Sequence, residues 1–94
     1  PPFLLKLFRI VDGAETEACV RWAEDGLSLH ISDPPAFVRD VLPAYFKHNR
    51  LSSFLQQMRT YGFERRVGTT VRDGSHEFAH VHFAKGRPEL LVEL

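Results

Sequence analysis

Gln56 and Arg59 stand on one side of a segment whose other side is apolar, and both carry groups that can read the edges of nucleic-acid bases. Leu51, Phe54, Leu55 and Met58 recur at i, i+3, i+4 and i+7, which predicts a helix over about residues 50–60 with an inward stripe. Ser53, Gln56 and Thr60 then project from the opposite side. A glutamine amide both donates and accepts, and so complements adenine N6 and N7. Arg59, one turn further on and slightly around the helix, can reach a phosphate or a guanine. A merely solvated polar face would show the same pattern, so the surroundings have to decide.

The distribution of charge favours the nucleic-acid reading. The 94-residue chain has a formal net charge of zero, but between Ala44 and Arg72 six basic residues (Lys47, Arg50, Arg59, Arg65, Arg66 and Arg72) face Glu64 alone. That block carries +5, balanced by an acidic excess shared between the two ends. A basic block centred on an amphipathic helix is the footprint of a phosphate-backbone binder.

Other chemistries find less support. His76, His80 and His82 fall in one predicted strand region, with His80 and His82 at the i, i+2 spacing that can ligate zinc, but no cysteine or carboxylate pair completes a site. Cys19 is the only cysteine, which excludes an internal disulfide and favours a reducing compartment. No local motif supports a Ser–His–Asp or Cys–His nucleophile, and there is no phosphate loop, dinucleotide fingerprint or calcium loop. The expectation is a protein that is not an enzyme and needs no cofactor or metal. With 44% hydrophobic and 26% charged residues the balance is that of a soluble globular domain, and no apolar run approaches the roughly 18 residues of a membrane helix. The opening Pro1-Pro2-Phe3 carries no visible secretory signal, and the chain reads as an excised single domain over residues 1–94.

Several elements must position the helix. Pro2, Phe3, Leu4, Leu7, Phe8 and Val11 predict a first helix stopped by Asp12-Gly13. Residues 18–22 and 27–31 alternate on either side of Asp25-Gly26 and predict an antiparallel pair. A second helix is expected over about residues 35–48, capped by Asp33 or Ser32 and kinked or bulged by Pro43. Asn49 is the expected cap of the next helix and Gly62 its stop. Two further β runs, 63–71 and 75–83, surround Arg72-Asp73-Gly74 and predict a hairpin wing at about 68–76. Pro88 opens a closing turn of helix. Phe3, Leu7, Phe8, Trp22, Phe37, Val41, Tyr45, Phe46, Phe54 and Met58 are the expected core. The sum is an α+β winged helix-turn-helix: a three-helix bundle against a small four-stranded antiparallel sheet.

Specific strings sharpen this into a family resemblance over the whole chain. Pro2-Phe3-Leu4-Leu5-Lys6-Leu7, Trp22, Phe37 with Val41 to Asn49, Ser53-Phe54 with Gln57 and Tyr61-Gly62-Phe63, and Glu77-Phe78-Ala79-His80 with Phe83, Gly86 and Leu90-Leu91 resemble the heat-shock factor DNA-binding domain. The resemblance implies a transcription regulator of the stress response whose recognition helix enters the major groove of double-stranded DNA at GAA-type elements. It implies phosphate contacts from Lys47, Ser53 and Tyr61, and the basic and amide groups of Asn49, Arg50, Arg65 and Arg66 extend that set. It implies a wing that contacts neighbouring domains more than DNA, action in the nucleus with a cytoplasmic stage before activation, and a homotrimer joined by a coiled coil outside this chain. The isolated domain, without such heptads, is expected to be a monomer.

The chain also departs from the family pattern. The residue before the matched Gln57 is an arginine in that pattern, taking guanine O6 and N7; here it is Gln56. Arg59 stands where asparagine is common, Glu64 where a basic residue is common, and Arg66 where an apolar one is. Two alternatives therefore accompany the main reading: altered DNA specificity, or a retained fold serving as a protein-interaction module. Other winged-helix families, such as the Ets type, are a weaker alternative, because the turn and tail strings do not resemble theirs.

Overall fold

The computed structural model describes residues 2–66 and 76–93. Its elements follow the sequence signals closely where those signals have a local cause. Helix α1, Pro2–Asp12, buries Phe3, Leu4, Leu7, Phe8, Ile10 and Val11. Strands β1, Val20–Trp22, and β2, Ser28–Ile31, pair antiparallel with Val20 opposite Ile31. Their connection turns at Gly26, whose φ of 71° is the left-handed conformation glycine adopts without a Cβ penalty. The Asp25 carboxylate accepts from the Leu27 amide at 2.9 Å and fixes that turn.

The second helix is built in three parts. Helix α2, Pro34–Ala36, is capped by Asp33, whose carboxylate accepts from the Ala36 amide at 3.1 Å. A π-helical turn, Phe37–Val41, follows, and α3, Leu42–Phe46, completes it. The Leu42 amide reaches back five residues to the Phe37 carbonyl. The bulge expected from Pro43 is this widened turn just ahead of it, which makes room for a ring that brings no N–H to the ladder. The helix ends at Phe46, two residues before the expected boundary, because Lys47 turns left-handed.

Helix α4, Leu51–Thr60, leads into β3, Glu64–Arg65, and β4, His76–Ala79; a 3-10 helix, Pro88–Glu93, closes the chain. The sheet order is β1-β2-β4-β3, all antiparallel, so β4 is an inner strand between β2 and β3. The expected wing lies outside the described residues apart from His76. Strand β4 is shorter than the sequence suggested: it stops at Ala79, and His80 to Phe83 form a tight turn. His80 and His82 thus do not share one strand. Among the described residues, no group of three or more His, Cys, Asp or Glu is placed to hold a metal, and no helix is long and apolar enough to cross a membrane.

Val20, Leu29, Ile31 and Phe78 face the helices from one side of the sheet and are buried with Phe3, Leu7, Phe37, Phe54 and Met58. Phe54 is the hub. Its ring lies 6.0 Å from Phe3, 5.0 Å from Phe37 and 5.7 Å from Phe46, so α1, the second helix and α4 meet on one side chain. Trp22 and Phe46 are half-buried against this core, and the Trp22 indole donates to Asp12 at 3.0 Å. Tyr45 corrects the expected core list: it is 38% exposed, because the π turn rotates α3 and leaves Phe46 inward.

Candidate nucleic-acid interface

The candidate surface begins at the turn between α3 and α4. Lys47 adopts φ 62° and ψ 29°, and it is the only non-glycine residue with positive φ among the described residues. A left-handed lysine costs about 1–2 kcal/mol that glycine would avoid. Asn49 does not cap α4, as the sequence suggested. Arg50 occupies the cap position in extended conformation, with no side-chain cap bond. The His48 imidazole instead accepts the Arg50 amide through Nδ1 at 3.0 Å, bracing the turn just ahead of the helix. Asn49 and Arg50 are left exposed, and the first amides of α4 have no side-chain cap.

Along α4, Phe54 and Met58 are buried, Leu51 and Leu55 half-buried, and Ser52, Ser53, Gln56, Gln57, Arg59 and Thr60 exposed. Ser52 and Gln57 join the outward face beyond the residues first singled out. Gln56 and Arg59 form no side-chain hydrogen bond or ion pair among the described residues. The Thr60 hydroxyl folds back to the Gln56 backbone carbonyl at 3.0 Å and so does not engage the Gln56 side chain.

The helix terminates in a Schellman motif. Gly62, at φ 90°, donates to the Arg59 carbonyl at 2.9 Å, and Phe63 donates to the Met58 carbonyl at 3.1 Å. Tyr61 is half-buried, its ring stacked on Phe3 at 5.3 Å and 9°, so its phenol leaves the helix end in a fixed direction. Both ends of α4 are anchored to the core.

The basic residues divide. Lys47, Arg50, Arg59 and Arg65 are exposed and make no ion pair among the described residues. Arg66 is placed differently. Its guanidinium lies 3.3 Å from Asp25, 3.1 Å from the Ser28 hydroxyl and 3.5 Å from Glu77, while its amide donates to the Glu77 carbonyl at 2.8 Å. Ser28 and Glu77 alternate with the inward Leu29 and Phe78, so this cluster occupies the sheet face turned away from the core. The Leu27 amide first, and Arg66 second, hold the Asp25 carboxyl below its ordinary range.

A helical bundle against an antiparallel sheet, with a turn-braced helix presenting a polar face, defines a winged helix-turn-helix domain. Residues 3–94 match the HSF-type DNA-binding family, and the chain belongs to that family. Heat shock transcription factor hsf-1 of Caenorhabditis elegans is 42% identical over 102 residues, covering 100% of this chain and 15% of the relative. The structure of Chaetomium thermophilum Skn7 with SSRE DNA superposes with a TM-score of 0.92 at 27% identity, covering 99% of this chain and 96% of that one. The same protein with HSE DNA gives a TM-score of 0.91 at 30% identity, covering 99% and 97%. The chain spans less than a third of the length of the curated relatives it matches. The family comprises DNA-binding domains of transcription factors and is not an enzyme family.

Proposed function

We propose that this domain docks on double-stranded DNA with α4 in the major groove. Gln56 and Arg59 meet base edges, and Lys47, Asn49, Arg50, Ser53, Tyr61 and Arg65 hold phosphates. The observation that carries the reading is the union of a free polar face on α4 with unpaired cations at both its ends. Arg66 drops out of the phosphate set, because its Nη1 and Nε donors are turned to Asp25, Ser28 and Glu77 on the sheet.

The target is a GAA-type element with altered preference under residue 56. A glutamine there gives up the bidentate guanidinium–guanine pair and favours adenine, a change worth about 1–3 kcal/mol of discrimination. Skn7, the neighbour in fold, is seen with two different DNA elements, which fits a scaffold whose base preference depends on few side chains. The full-length protein acts in the nucleus as a transcription regulator and trimerises through a coiled coil beyond residue 94. The domain alone is a monomer.

Titration into labelled duplexes carrying paired inverted GAA units, mutated units or a random pool, at several salt concentrations, tests the proposal. Steep salt dependence is expected on all three. Gln56→Arg should raise preference for guanine at one position by about tenfold or more, with the salt slope little changed. An unchanged preference would remove Gln56 from the reading set. No measurable binding to any duplex would favour the protein-interaction alternative.

A further inference from the structure

We propose that His80 is a positioning residue for the DNA-binding surface: it seats the end of the recognition helix, and its protonation unseats it. This rests on the DNA-binding reading above. His80 lies in the turn after β4, remote in sequence from α4, yet its ring sits against the Schellman turn that ends that helix. A Cβ placed on Gly62 would stand 3.2 Å from His80 Nε2. The ring also packs against Phe63 at 5.2 Å. Gly62 therefore has two reasons to be glycine: its φ of 90°, and the room its missing side chain leaves for the imidazole.

The hydrogen bonds fix the ring's proton. His80 Nδ1 accepts the His82 amide at 3.0 Å, so the neutral imidazole carries its proton on Nε2. Nε2 is the ring atom nearest the space a Gly62 side chain would fill, at the junction between α4 and the phenol proposed to meet a phosphate. One ring thus joins the β4 turn to the end of the reading helix. Protonation would set an Nδ1–H against the His82 N–H, two donors 3.0 Å apart, so the ring and the His82 turn must move apart, which loosens the ring's seat.

The surroundings favour the neutral form. Burial first, and the neighbouring His82 second, lower the His80 pKa, while the Tyr61 carbonyl and the Glu64 carboxylate oppose this. His82 lies 5.7 Å away, ring to ring. The remaining neighbours, Gly62 and Phe63, carry no charge. A depressed folded pKa means that the seat is intact above the unfolded value of about 6.5 and is lost as pH falls through the folded value.

The test compares wild type, His80→Ala and His80→Gln, reading duplex affinity between pH 7.5 and 5.5 alongside amide NMR shifts of the free domain. Glutamine keeps a donor near the Nε2 position and cannot be protonated. At pH 7.5, His80→Ala should bind DNA about five- to tenfold more weakly, and His80→Gln should recover part of that loss. In the free wild-type domain, the Tyr61, Gly62 and His82 amide shifts should titrate together with the His80 ring. His80→Gln should lose that titration and the associated fall in affinity. If wild type binds DNA and both variants match it at every pH, or if the Gly62 amide ignores the His80 titration, the inference is overturned. Failure of wild type to bind any duplex would instead defeat the DNA-binding reading, and the NMR titration would still decide whether His80 seats the helix end. Should His80→Ala fail to fold, His80→Gln and the wild-type titration carry the decision.

Discussion

Two basic residues of similar appearance in the sequence, Lys47 and Arg66, meet opposite fates in the structure. Lys47 is exposed, unpaired among the described residues and held left-handed in the turn that aims α4. Arg66 is pinned by Asp25, Ser28 and Glu77 on the far face of the sheet. The fold accepts local backbone strain to keep the first cation where it is and spends two carboxylates to neutralise the second. Positive charge is left available to a partner only where the fold supplies no counter-charge. A net count along the chain cannot distinguish these cases, because the carboxylates that silence Arg66 are 41 and 11 positions away.

The largest test of that contrast removes the platform on which the binding face rests. Phe54→Ala would open a void where three helices meet, at a side chain only 1% exposed, and should destabilise the domain by about 3–5 kcal/mol in urea unfolding. DNA affinity should fall in step with the folded fraction. Affinity that outlived the fold would mean that the basic segment binds as an unstructured polycation.

A sharper pair separates the two cations directly. Lys47→Gly relieves the left-handed lysine and should raise stability by a few tenths to about 1 kcal/mol, since part of the gain is offset by glycine's greater freedom in the unfolded chain. The same change should weaken DNA binding and reduce the salt slope by about one. Arg66→Gln should do the reverse, costing about 1 kcal/mol of stability and leaving the salt slope unchanged. Thermal melts and salt titrations of both variants check this. A loss of slope in Arg66→Gln, or lower stability in Lys47→Gly, would collapse the distinction.

What the sequence made legible follows the same division. Helix 1, the first hairpin, the Asp33 cap, the Gly62 stop and the apolar stripe of α4 all have local causes, and the structure places them as expected. The sequence indicates the π turn only as some distortion near Pro43, and spacing alone puts Tyr45 in the core because it does not reveal how far such a turn rotates the helix. Asn49 has the chemistry of a cap, but His48, one residue earlier, takes the amide through a side-chain geometry that composition does not encode. The engagement of Arg66 and the seat of His80 are long-range pairings. A sequence motif marked His80, yet nothing in its spacing from Gly62 indicates contact.

The smallest expected effect probes the back of the sheet from its other partner. Asp25 is exposed, and its carboxylate serves two donors, the Leu27 amide and the Arg66 guanidinium. Because its folded pKa is depressed, its contribution to stability is present above the unfolded value of about 4 and is lost as pH falls through the folded value. Asp25→Asn can still accept from the Leu27 amide, so the turn should survive while the ion pair is lost. The melting temperatures of wild type and Asp25→Asn should therefore differ slightly at neutral pH and converge in acid as the wild-type carboxyl protonates. High salt should narrow the neutral-pH gap as well, since an exposed pair is readily screened. DNA binding by Asp25→Asn should match wild type. A marked gain in affinity would mean that Asp25 had been restraining Arg66, so that the arginine can swing free to join the binding surface once its carboxylate partner is removed.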